Sequence, residues 1–223
     1  MSTGTRHTIT AFDDDMDEIR GLIAEMGARV ETAVVSAMKA LTEHDVEAAA
    51  TIRADDKIID SLETEVERLV VRTIALRAPM ADDLRELIAA LKISAVIERI
   101  GDYAKNIAKR VPKMEGQIHA SAKEQLGRMG AIVVEMIRTA MDAYAKRDVD
   151  LARAVTVRDD VVDQLNKDLF VDFVAYVAKN PQNATEVAHL LFTAKNLERI
   201  GDHTTTVAQM IYFTETGENL PDA

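Results

Sequence analysis

Apolar residues return at every third or fourth position along almost the whole of this chain, and a set of long helices satisfies that spacing. In the first such stretch Ile19, Leu22, Ile23, Met26, Val30, Val34, Ala37, Met38 and Leu41 form one stripe. Helix breakers are rare: the 223 residues hold 9 glycines and 4 prolines. Where the pattern does break, helix-ending and helix-starting chemistry stands. Asp45 in "EHDVEAA" and Asp148 in "KRDVDLA" suit N-caps, and Pro79 and Pro181 each interrupt a pattern. Ser121 with Glu124 has capping-box spacing, and Asn183 with Glu186 has a near relative of it. The segment 111–120, "VPKMEGQIHA", carries proline and glycine without periodicity and reads as a linker. Together these signals predict helices over 13–43, 46–77, 81–110, 121–146, 149–179 and 184–215, each roughly 40–50 Å long at 1.5 Å per residue.

The two halves align. "HDVEAAATIRADDKIIDSLE" at 44–63 matches "RDVDLARAVTVRDDVVDQLN" at 147–166, and the pentapeptide Glu-Arg-Ile-Gly-Asp occurs at 98–102 and again at 198–202. A three-residue slip near the prolines reconciles the two offsets. The expected architecture is all-α: two tandem, sequence-related three-helix bundles, six long antiparallel helices in all, divided as 1–113 and 114–223.

Composition excludes several classes of function. A net charge of −11 opposes binding to a nucleic-acid backbone, which needs clustered lysine and arginine. With no cysteine there are no disulfides and no thiolate metal ligands. The opening "MSTGTRHTITAF" lacks the apolar core of a secretory signal, and no apolar run approaches the ~18 residues of a membrane span. A cytoplasmic protein is expected.

The repeated pentapeptide sits awkwardly in a helix. A mid-helix glycine costs ~1 kcal/mol against alanine, and its two acids lie one turn apart, where like charges repel by roughly 0.2–0.5 kcal/mol. Each half carries two such acidic pairs: Asp56/Asp60 and Glu98/Asp102, then Asp159/Asp163 and Glu198/Asp202. Residues four apart share a helix face. In the first half the midpoints of the two pairs stand about 21 residues before and after Pro79; in the second they stand about 20 before and 19 after Pro181. Helix hairpins folded at those prolines bring four carboxylates to one height in each half. Such a cluster calls for a counter-charge, and oxygen-only ligands suit Mg²⁺, Mn²⁺, Ca²⁺ or iron. The glycine then permits close approach of a neighbouring helix. Arg99 and Arg199 lie within reach of Asp102 and Asp202. His203 falls off the carboxylate face and reads as a packing histidine, and the ten methionines read as core gap-fillers.

On these motifs the chain resembles the PhoU family of phosphate-transport accessory proteins. "LKISAVIERIGDYAKNIAKR", "LERIGDHTTTVAQMIYFTETGE" and both Asp-x-x-x-Asp segments carry the resemblance, which spans essentially the whole sequence. It implies a PhoU-like fold and no enzymatic activity. It further implies metal ions (iron, zinc, manganese or magnesium) at Asp56, Asp60, Glu98 and Asp102 and at Asp159, Asp163, Glu198 and Asp202. The implied role is negative regulation of phosphate uptake and of the phosphate-starvation response. The implied partners are the ATPase subunit of the phosphate ABC transporter and the phosphate-sensing histidine kinase, with the membrane reached only through them; a homodimer is also expected. In one departure Thr206 stands where the first half keeps Asn106, which points to a weaker or differently populated second cluster.

Two other readings compete. A carboxylate-bridged di-iron enzyme requires paired Glu-x-x-His motifs, whereas this chain has one, Glu186 to His189. A metal-free helical scaffold leaves the acidic pairs as solvated faces balanced by lysine and arginine.

Overall fold

The structure, a computed structural model, describes residues 3–114 and 120–220. Six helices account for nearly all of it: α1 (Thr3–Glu43), α2 (Val46–Arg77), α3 (Asp82–Ala108), α4 (Ala120–Lys146), α5 (Val149–Lys179) and α6 (Ala184–Thr216). The expected boundaries hold to within a few residues, except that α1 begins ten residues before the predicted start. No proline interrupts residues 3–12, and the run Asp13–Asp15 lies within the helix. The expected linker is partly ordered. Val111–Lys113 forms a 3-10 turn and Met114 is buried, while residues 115–119 lie outside the described part.

The turns repeat with the sequence. Between α1 and α2 His44 takes φ 56°, and between α4 and α5 Arg147 takes φ 54°. Each is followed by an aspartate N-cap. Asp45 accepts from the Ala48 N–H at 2.9 Å, and Asp148 accepts from the Asp150 and Leu151 N–H groups at 2.9 and 3.0 Å. Two capping boxes do not form as expected. Ser121 is already helical and accepts from the Gln125 amide at 3.4 Å. Asn183 occupies the N-cap position of α6, but its amide donates instead to the Tyr176 hydroxyl at 2.7 Å.

Helices α1–α3 pack on one another, as do α4–α6, and each trio buries its apolar stripes inward. The stripe of α1 is buried from Ile19 to Leu41, with Leu22 at its edge. Met16, Met26, Met38, Met114, Met129 and Met136 fill the core as expected, but Met80, in the α2–α3 turn, is 79% exposed and fills no gap. The trios then join along α3–α6 and α1–α4, so that one continuous apolar core runs through both. This seam obeys the duplication. A Cβ on Gly27 of α1 would meet Met141 of α4 at 2.7 Å, and one on Gly130 of α4 would meet Met38 of α1 at 3.1 Å. The contact is reciprocal, each helix supplying one hollow and one knob at equivalent positions. Tyr103 of α3 and His203 of α6 stack across the same seam, with ring centroids 5.4 Å apart. A pseudo-two-fold axis therefore relates the halves, and the acidic helix faces are carried into equivalent places on either side of it.

Candidate metal centre

In both halves the hairpin forms, α2 packing against α3 and α5 against α6, and the two acid pairs come within electrostatic reach of each other; only in the second half do carboxylate oxygens gather closely. What surrounds them differs.

On the α2–α3 side Asp56 is 6% exposed. It is ion-paired to Lys105 of α3, whose ammonium also donates to Asp102. Burial pulls the Lys105 pKa down, but the hydrogen bonds to Asp102 and Asp56 outweigh it and hold the ammonium above the ordinary lysine range. Burial, with the charge of Asp56 behind it, raises Asp60; burial and then Asp102 raise Glu98. The four acids thus lie within electrostatic reach of one another around a resident cation. Lys105 escaped the sequence reading, although its spacing from Asp102, i to i+3, places it on the same face.

On the α5–α6 side no lysine occupies that place, and Thr205 stands there instead. Asp163, Glu198 and Asp202, all half-buried, each offer a carboxylate oxygen within 4.8 Å of the others; no other such group of acids or histidines occurs among the described residues. Asp159 completes the four. Burial, then the charge of Asp202, pushes its carboxyl up to about 6. Asp202 is raised by burial and by Glu198, with Arg199 opposing. Gly201 is needed here for a reason peculiar to this half: a Cβ would lie 2.8 Å from Asp159 Oδ1, whereas at Gly101 the nearest neighbour is the Ile59 methyl at 3.1 Å. The cations of this patch stand at its rim. Lys195, with its side chain 48% exposed, pairs with Glu198 Oε1; Arg199 lies 3.6 Å from Asp202 and 3.9 Å from Glu198. Glu198 Oε2 is buried and accepts no hydrogen bond.

The remaining candidates sort out plainly. Arg99 is exposed and forms no ion pair among the described residues, unlike Arg199. His203 packs on Tyr103; burial first, then Arg99 and Arg199, lowers its pKa and favours the neutral ring. Asn106 accepts from Lys109 at 3.2 Å and Thr206 donates to the Asp202 carbonyl at 3.0 Å, so the site-determining difference lies one position earlier, at Lys105 and Thr205. Glu186 and His189 sit three turns before Glu198, away from the acids.

A tandem pair of three-helix units, each presenting two acid-x-x-x-acid faces of a helix hairpin, defines the class: a duplicated all-α bundle with one acidic patch per half. The PhoU domain model matches it twice, over residues 23–111 and 126–211, and the chain belongs to the PhoU family. The phosphate-specific transport system accessory protein PhoU homolog of Zymomonas mobilis is 48% identical over 97% of this chain and 91% of its own length. The Rhizobium meliloti homolog of the same description is 37% identical over 95% and 90%. Among solved structures, PhoU from Pseudomonas aeruginosa superposes with a TM-score of 0.90 at 31% identity, covering 93% of this chain and all of that one. The phosphate transport system regulatory protein PhoU from Streptococcus pneumoniae gives 0.88 at 26% identity, covering 94% and 99%.

Proposed function

We propose that this chain is a non-enzymatic, metal-binding negative regulator of phosphate uptake and phosphate-starvation signalling. The relatives' names, accessory and regulatory proteins of phosphate transport, support the regulatory part. One observation carries the metal: Asp163, Glu198 and Asp202 converge within 4.8 Å while a buried Glu198 oxygen accepts nothing. Two like charges 4 Å apart repel by about 1 kcal/mol in water and by about 4 kcal/mol near a protein surface. A cation relieves that repulsion and uses the idle oxygen. The donor set is all oxygen, which fits magnesium or manganese and accommodates iron and zinc. Asp159, Asp163, Glu198 and Asp202 would hold the ion on one side of the molecule, and Asp56, Asp60, Glu98 and Asp102 form the equivalent set on the other. When bound, the ion supplies positive charge that ties α5 to α6.

Regulation then works through docking. Phe170, Val171 and Val174 of α5 and Phe192 of α6 are exposed, and Phe170, Val171 and Phe192 border an open groove of about 630 Å³. Contiguous exposed apolar side chains mark interaction surfaces. The partners we assign are the ATPase subunit of the phosphate ABC transporter and the phosphate-sensing histidine kinase, met in the cytoplasm; a second copy of the chain competes for the same face. Among the described residues no helix is long and apolar enough to cross a membrane, so membrane contact comes through those partners.

The test joins two measurements. Elemental analysis of gently purified wild type should find tightly bound metal that is lost when Asp163, Glu198 and Asp202 become amides. In a strain lacking the gene, wild type should restore repression of phosphate-starvation genes and the amide variant should not. A metal-free wild type removes the metal from this reading, and unchanged repression in the deletion strain removes the regulation. Steady ferrous-iron oxidation by the purified protein would install the enzyme reading in its place.

A further inference from the structure

The duplicated halves are equivalent in backbone and unequal in charge. At the α2–α3 patch the Lys105 ammonium bridges Asp56 and Asp102, its own side chain 20% exposed and that of Asp56 only 7%. It lies between the two helices, where a cation shared by both acid pairs must lie. The equivalent position in α6 is Thr205, a neutral hydroxyl. Lys195 does not substitute for Lys105: it approaches from the rim, takes one oxygen of Glu198 and leaves the other without a donor.

We propose that Lys105 is a built-in counter-ion that closes the first patch to metal, so that the chain loads metal preferentially at the second patch, which Thr205 leaves open. The inference rests on reading the carboxylate patches as metal centres. The physical argument is competition for the same oxygens. An ammonium is a compact point charge with three donors, and here two of its bonds occupy the acids that a cation bridging α2 and α3 would need. Metal entering that patch must expel Lys105 and leave its charge without partners beside the ion. Metal entering the second patch displaces nothing from between the helices; it meets three half-buried carboxylates already gathered within 4.8 Å. One residue at one equivalent position thus sets which half is the metal-holding half and which is held by the protein's own cation.

The experiment uses the full chain, stripped with chelator, reloaded with Mn²⁺ and desalted, with bound manganese per chain read by elemental analysis and by the electron paramagnetic resonance signal. Wild type should retain manganese, and Thr205→Lys should reduce that amount at least several-fold. Lys105→Met, which keeps an unbranched side chain one atom shorter and removes its charge, should raise retained manganese about two-fold. The decisive pair is Asp202→Asn alone, which should lose most of the metal, and Asp202→Asn with Lys105→Met, which should recover it at the first patch. Circular dichroism and gel filtration establish that each variant is folded; if Lys105→Met is not, Lys105→Gln takes its place. An unchanged ratio in the Lys105 variants, or wild type that loses metal equally when Asp102 or Asp202 is amidated, overturns the inference while leaving metal binding intact. No manganese on any variant overturns the underlying metal reading and this inference with it.

Discussion

At the α2–α3 patch an ammonium from α3 lies against a nearly inaccessible aspartate; at the α5–α6 patch a hydroxyl stands in its place and the carboxylates crowd together with a raised aspartate beneath them. The first turn of each half is the same, down to the left-handed residue and aspartate cap that open its second helix. The hairpin turns differ, Ala78 and Ala81 taking positive φ in one and Pro181–Asn183 forming a 3-10 turn in the other. The comparison teaches that a duplicated scaffold fixes where the acids meet, and a single side chain decides what neutralises them. One patch holds a lysine of the chain between its helices; the other has its lysine and arginine only at the rim.

The sharpest way to break that contrast is to remove Lys105. Truncating one partner of a buried pair leaves an uncompensated charge, at a cost of 3–5 kcal/mol when both groups are fully buried. Lys105 reaches solvent in part, so Lys105→Ala should cost about 2–3 kcal/mol in metal-free protein, read by urea denaturation. The loss leaves a domain with a typical margin of 5–15 kcal/mol still folded. Added Mn²⁺ should then stabilise the Lys105 variant more than it stabilises wild type, because the vacated acids gain a cation.

The second patch should respond to pH instead. Asp159 titrates at about 6 in the folded chain, above its ordinary value of 3.8. The folded state therefore binds the extra proton between those values, and the stability this group contributes falls as pH rises through that window, levelling off above it. In metal-free protein Asp159→Asn should gain melting temperature relative to wild type as pH goes from about 4.5 to 7. A temperature difference that stays flat across that range would mean the site is not strained by its charge. Metal should reverse the sign, since its ligands must be deprotonated: retained Mn²⁺ falls as pH drops through about 6 in wild type.

Much of this was legible in the sequence, for physical reasons that can be named. Scarce prolines and glycines leave helix ends few places to fall, so Asp45, Asp148, Pro79 and Pro181 marked them closely. Counting outward from the two prolines placed the acids of α2 and α3, and of α5 and α6, at common heights because a straight helix turns number into distance. Contacts between the halves were not legible. Tyr103 against His203 and Gly27 against Met141 join residues a hundred or more positions apart, and nothing local specifies them. Lys105 was hidden differently. It lies on the predicted face, but a pattern built from acids alone gives a lysine no weight. Asn106 and Thr206 flank the motif and differ between the halves, yet Asn106 accepts from Lys109 and not from a residue of the patch.

The caps provide a control in which the halves should agree. Asp45→Ala and Asp148→Ala each remove a side-chain cap, at a typical cost of ~1 kcal/mol. Asp148 satisfies two N–H groups and Asp45 one, so the second substitution should be slightly the larger in urea denaturation. A cost at Asp45 several times that at Asp148 would mean that the first half is the weaker folding unit, and the patch comparison would then need correcting for it.

The smallest effect expected is also the most discriminating about rim and centre. Lys195 pairs with Glu198 from three residues before it, and Lys105 pairs with Asp102 from three residues after it, each one turn away on its own helix. What differs is solvent: Lys195 is 48% exposed and Lys105 20%. An exposed pair loses most of its attraction to water and to the entropy of holding a long side chain, leaving 0–1 kcal/mol. Lys195→Ala should therefore cost about 1 kcal/mol. That is less than Lys105→Ala, although the Glu198 side chain is itself only 12% exposed, because Arg199 remains 3.9 Å from that carboxylate. Manganese retention should stay unchanged or rise slightly, since Glu198 Oε1 is freed. A loss equal to that of Lys105→Ala would mean that position between the helices confers nothing, and that any lysine one turn from an acid serves as well.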